Sequence, residues 1–275
     1  MNDDTTKWLL CCVQIPDLCP VKNFLVALLL IITSYPLAAQ RIHAHNDYQQ
    51  PRPLTNALQH KVFSIEADVY LTRRGLVVAH DKKDTAAAPL LETLYLQPII
   101  TLFNKHKGRI SADKKYTPVL MIDSKESLLS SGGEAVIATL IKLLAPYRSV
   151  FDRSVNTKAV QIVISGDRGA ISKWSSYPSY LLFDGRPAEV YDSAARARVA
   201  FISDSYTKYV SAGDSTSQVK ELVKKIHSQH QLLRLWGHPD NAGEWKRLQQ
   251  LGVDIINTDK VEECSWYFLK AHSQQ

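Results

Sequence analysis

The chain is short of cysteine, and the few it has are poorly placed for cross-linking. Three of its four cysteines, Cys11, Cys12 and Cys19, precede residue 40, which leaves Cys264 alone in the remainder. No intramolecular disulfide is then open to residues 40–275, so that part must rest on a packed core. A glycine-rich phosphate turn is also missing. The first strand-like run leads into Asn46-Asp47-Tyr48-Gln49-Gln50-Pro51, which argues against an open doubly wound sheet. No basic run with interleaved aromatics occurs, so nucleic acid is not an expected partner. Lys and Arg outnumber Asp and Glu by 33 to 27, a mild excess that suits an anionic small molecule or peripheral contact with a membrane surface. Long apolar runs are lacking except for Phe24–Ile32, which is short for a membrane span. Lys22 before it and Ala38-Ala39 after it give residues 1–39 the pattern of a secretory signal region, removed on export to the periplasm or the cell exterior.

What the chain does have, from residue 41 onward, is alternation of short apolar runs with helix-like stretches. Eight runs stand out: 41–46, 64–71, 119–123, 161–166, 180–185, 200–204, 232–237 and 253–259. Amphipathic stretches such as 217–231 and 242–251 lie between them, the last ending at Gly252, a helix-stop residue. Eight strands alternating with helices predict a single-domain (β/α)8 TIM barrel over residues 40–275. A ninth run, Leu76–Ala79, reads as a β-hairpin extension after strand two.

The chemistry-bearing residues fall at strand ends. Glu66 and Asp68 alternate on one face of the second strand, and two adjacent inward carboxylates repel each other. Asp123 ends the third strand, with Lys125 just beyond. Three carboxylates without soft ligands favour one divalent cation, Mg²⁺ or Ca²⁺, over Zn²⁺. A cation and a lysine make a clamp for phosphate charge. His43 and His80 would flank it as an acid/base pair for cleaving a phosphodiester. His45, Asn46 and Trp236 are further candidates for phosphate or substrate contact. Asp184 and Asp204 read as helix caps.

These motifs resemble the glycerophosphodiester phosphodiesterases and the wider phosphatidylinositol-phospholipase-C-like barrels. The matching elements are His43, Glu66-Ala67-Asp68, Thr72-x-x-Gly75-x-x-Val78-x-His80-Asp81, Asp123-Ser124-Lys125, and Gly252-Val253-Asp254-Ile255-Ile256-Asn257-Thr258-Asp259. Within that group the chain looks similar to a secreted branch that begins His-Ala-His-Asn-Asp. The resemblance implies a TIM barrel and a metal-dependent diesterase acting on glycerophosphodiesters or phospholipid headgroups, and a monomer is expected. It makes His43 and His80 the acid/base pair, Glu66, Asp68 and Asp123 the metal ligands, and Lys125 the phosphate contact. The usual His-Arg-Gly after strand one is replaced by His43-Ala44-His45-Asn46, which removes a phosphate-binding arginine. Arg52 reads as a stand-in for that absent arginine or as a plain helix entry. Two other readings stand beside this one. An amidohydrolase-type zinc barrel would use His43-Ala44-His45 and Asp259 but needs histidines on strands five and six. A non-catalytic barrel would bind lipid headgroups without a proton-transfer pair.

Overall fold

The fold comes from a computed structural model, which describes residues 40–125, 132–210 and 215–273. The signal-region reading of residues 1–39 lies outside the described residues. Residues 40–275 group as one unit. Its strands are β1 (Arg41–Ala44), β2 (Ser64–Thr72), β3 (Gly75–Val78), β4 (Val119–Ser124), β5 (Gln161–Gly166), β6 (Leu181–Gly185), β7 (Val199–Ser205), β8 (Leu233–Trp236) and β9 (Ile255–Thr258). Each of the eight runs picked out above overlaps one of the parallel strands, with ends that differ by at most a few residues. Their neighbour order is β1-β2-β4-β5-β6-β7-β8-β9, and β9 pairs back onto β1, which closes a parallel barrel of eight. At the closure His43 lies opposite Ser64 on one side and Asn257 on the other. Strand β3 stands outside the barrel, antiparallel to β2, with Val69 opposite Val78.

Period-two alternation divides the strand residues between two environments. Outward residues such as Ile65, Ala67, Val69, Ile122, Ile162 and Ile164 join the large cluster under the helices. Inward residues form a separate apolar floor of Val119, Met121, Val163, Phe201 and Ile255. Two residues further along the same strands stand Asp123, Ser165, Ser203 and Asn257. The barrel interior is therefore apolar at one end and polar toward the C-terminal ends of the strands, where barrels of this type carry their sites.

Two helices show how local sequence sets the frame. Helix Ala242–Leu251 starts where Glu244 N–H donates to the Asn241 side chain at 3.1 Å and ends at Gly252, whose φ is 90°. Both ends follow ordinary capping chemistry. Helix Ser215–His227 stops four residues before the expected end, and His230 takes a positive φ in the turn that follows. Among the described residues no helix is long and apolar enough to cross a membrane.

Candidate functional site

The polar layer begins with a buried histidine. His43 has no exposed surface, and Ser64 Oγ lies 2.6 Å from its Nδ1. Its Nε2 is 2.5 Å from Glu66 Oε2 and 2.8 Å from Arg234 Nη1. Burial first, and then the Arg234 charge, push the His43 imidazole down to about 4, so it is neutral at pH 7. Burial alone would raise Glu66, but the His43 hydrogen bond and the neighbouring cation hold it below the usual carboxylate range. An ionised Glu66 accepting from the Nε2–H of a neutral His43 satisfies both, with Ser64 donating to Nδ1.

Nearer the mouth, Asp68 and Asp123 face each other across β2 and β4. Lys125 donates to both, to Asp68 Oδ2 at 3.0 Å and to Asp123 Oδ2 at closer range. The Tyr48 hydroxyl donates to the same Asp68 oxygen at 2.8 Å. Burial and the Glu66 charge nevertheless raise Asp68 to about 6, against the pull of Lys125. Burial would lower Lys125, but its two carboxylate partners hold it above the ordinary lysine range. Gly166 leaves room for this arrangement. A Cβ there would stand 2.8 Å from Asp123 Oδ1 and closer still to the Ser124 carbonyl, and its φ of +66° is one few side chains adopt.

Ligand oxygens of Glu66, Asp68 and Asp123 lie within 4.8 Å of one another, as the alternation of β2 and the end of β4 lead one to expect. Asp68 Oδ1 is buried without a hydrogen-bond partner. An orphaned carboxylate oxygen in an all-oxygen cluster fits a hard divalent cation. His80 sits at the rim with its side chain 54% exposed, its Nδ1 3.1 Å from Tyr48 Oη and 3.4 Å from Asp68 Oδ2.

The remaining candidates occupy the edge of the mouth. His45 Nδ1 pairs with Asp259 Oδ1 at 2.8 Å, and Asn46 donates to the same oxygen at 3.3 Å. Asn46 also accepts from Tyr48 at 3.0 Å, which links this edge to Asp68. Trp236 ends β8 with 41% of its surface exposed. Arg52 is exposed and donates to Gln59, as a helix-entry residue would. Asp204 serves its own turn, accepting from Lys208, Tyr209 and the Ser205 N–H.

Asp184 differs from the cap expected of it. It is fully buried in the barrel, where its Oδ2 accepts from Ser165 and pairs with Arg186 at 2.8 Å and Arg234 at 3.4 Å. A cap needs a helix N-terminus beside it, whereas inward alternation on β6 points Asp184 into the polar layer. Arg234, Tyr48 and Asn257 are further site residues that motif reading passed over. Arg234 had one visible signal, a lone charge inside the apolar run 232–236 on the same face as Trp236. The zinc-barrel reading requires His43 and His45 to converge, but one faces Glu66 and the other Asp259. The fifth and sixth barrel strands, β6 and β7, end in Asp184-Gly185 and Asp204-Ser205 rather than in histidine.

Residues 33–168 match the family model of the AIM6-like phosphodiesterase domain. Over that stretch the chain is similar to the AIM6-like phosphodiesterase domain. The match spans His43, Glu66, Asp68, His80, Asp123 and Lys125 and stops short of Arg234. Among curated relatives, altered inheritance of mitochondria protein 6 of Eremothecium gossypii is 24% identical over 82% of this chain and 68% of its own length. Among solved structures, a glycerophosphodiester phosphodiesterase from Parabacteroides distasonis superposes with a TM-score of 0.53 at 15% identity, covering 85% of this chain and 98% of its own. A Ca²⁺-dependent phosphatidylinositol-specific phospholipase C from Streptomyces antibioticus does so with a TM-score of 0.51 at 12% identity, covering 84% and 95%. At those identities the two structures speak for the barrel fold alone. Both are phosphodiester-cleaving enzymes by name.

Proposed function

We propose that this protein is an exported phosphodiesterase that cleaves glycerophosphodiesters or phospholipid headgroups with the help of one divalent cation. The observation that carries the reading is the convergence of Glu66, Asp68 and Asp123 within 4.8 Å, with Lys125 on two of them and His80 at the rim. Glu66, Asp68 and Asp123 would hold Mg²⁺ or Ca²⁺, which when bound supplies positive charge against a phosphoryl oxygen. Lys125 is held by Asp68 and Asp123 and is 28% exposed, so its ammonium can meet a second phosphate oxygen.

His80 is the proton-transfer group that solvent reaches. Tyr48 and Asp68 hold its Nδ1, which leaves Nε2 for the substrate. His43 is its partner in this reading and keeps a proton at Nε2 against Glu66, so that contact must open before the proton moves. One histidine takes a proton from the attacking hydroxyl, supplied by water or by the substrate itself, and the other gives one to the leaving oxygen. Asn46 and His45 border the phosphate position, and Trp236 offers an apolar surface to a headgroup or its lipid.

A phosphorus NMR time course over glycerophosphodiesters, lysophospholipids and inositol phospholipids tests the proposal. It should show one class converted to a monoester or a cyclic phosphate in the presence of Mg²⁺ or Ca²⁺. An unchanged spectrum for every diester, with both cations present, would reject it.

A further inference from the structure

Arg234 is the least expected group in the polar layer. It enters from β8, 4% exposed, and reaches five other strands. Its Nε donates to Ser203 Oγ on β7 at 2.9 Å. Nη1 donates to Asn257 Oδ1 on β9 at 3.0 Å and to Glu66 Oε2 on β2 at 3.3 Å, and lies 2.8 Å from His43 Nε2 on β1. Nη2 faces Asp184 Oδ2 on β6 at 3.4 Å. All three nitrogens therefore have protein acceptors.

We infer that Arg234 is a positioning residue, which fixes Glu66 and His43 for the cation site and does not itself touch the phosphodiester. The contacts of His43 and Arg234 with Glu66 both fall on Oε2, which leaves Oε1 to serve a cation. Arg234 thus decides which oxygen of the carboxylate is spent on the protein. Asp184 is its counterweight, buried and shared with Arg186, so the guanidinium is held from the side opposite Glu66. A lysine cannot copy this. Its single ammonium is a point charge, whereas the planar fork presents donors to opposite walls of the barrel at once. The inference rests on the diesterase reading for its kinetic part, while its cation-binding part stands apart from any substrate.

Arg234→Lys and Arg234→Met are the informative variants. The measurements are thermal melting, calorimetric titration with Mg²⁺ and with Ca²⁺, and steady-state kinetics on whichever diester the wild type turns over. Arg234→Met leaves Glu66 buried without its cation and Asp184 with Arg186 alone, and should melt lower. Arg234→Lys should recover much of that melting loss. In the lysine variant cation affinity should still fall at least about tenfold and kcat by about a hundredfold, with KM within about twofold. Recovery of both cation affinity and kcat by lysine would reduce Arg234 to a buried charge and overturn the inference. A rise in KM with kcat kept would make it a phosphate contact instead and overturn it equally. A wild type that binds a cation but cleaves no diester defeats the diesterase reading alone. The loss of affinity in Arg234→Lys would then still support the positioning role. A wild type that binds neither cation overturns both.

Discussion

The apolar floor of the barrel and its polar layer are built on the same strands, two residues apart. On β4 Met121 belongs to the floor and Asp123 to the site. On β7 the pair is Phe201 and Ser203, and on β9 it is Ile255 and Asn257. Only the distance from the C-terminal mouth separates them. The floor is apolar and buried, and it raises the electrostatic stakes in the layer above. Asp68 registers the consequence: burial beside Glu66 lifts its carboxyl to about 6 although Lys125 touches it. The floor holds the fold by burial. The layer above spends stability on charges that a cation and a substrate can use.

Perturbing each level separately should pull the two apart. The largest effect belongs to the cation: chelation with EDTA should abolish diester cleavage, and added Mg²⁺ or Ca²⁺ should restore it in a phosphorus NMR assay. Activity untouched by EDTA would remove the polar layer from the chemistry. Next comes His80→Ala, expected to slow turnover by on the order of 10²–10⁴-fold. Because His80 is more than half exposed, its melting temperature should stay near wild type. In the floor the order reverses. Met121→Ala, at a site with no exposure, should cost about 2–5 kcal/mol in denaturant titration while the folded fraction keeps its cation affinity. A folded variant that lost the cation would show that floor and layer are not separable.

The smallest effect lies at the rim and depends on pH. The Asp259 hydrogen bond and the nearby carboxylate charges raise His45 above its ordinary value in spite of burial. The same bond is the main cause holding Asp259 below the ordinary aspartate value. The stabilisation from a raised histidine is complete below 6.5, its unfolded value, and fades as pH rises through the folded one. The stabilisation from a lowered aspartate is present above 3.8 and fades as pH falls through the folded value. Wild type should therefore melt above Asp259→Asn most clearly between these two values, with the gap narrowing on the alkaline side. Asp259 is more than half exposed, so solvent keeps the gap small. A gap that widened above neutral pH would contradict the pairing.

Much of the barrel was legible because alternation of period two leaves a mark on neighbouring residues. Glu66 and Asp68 share a face, and Gly252 marks a helix stop, whatever the rest of the chain does. Asp123-Ser124-Lys125 was legible as an acid and a lysine at one strand end, but the bridge from Lys125 to Asp68 on the neighbouring strand was not. Asp184 was misread because a strand-end carboxylate looks alike in sequence whether it caps a helix or turns inward. Tyr48 gave no sign that its hydroxyl would join Asn46, Asp68 and His80.

The sequence by itself determined the strand count, the inward acids of the first strands and the histidine that follows the hairpin, because those are contacts between residues close along the chain. Only the closed barrel decided that Arg234, 168 residues from Glu66, would share its carboxylate oxygen and lie against His43. Closure of β9 onto β1 brings the last strands beside the first, and no pattern along a single strand encodes which side chains meet across that circle.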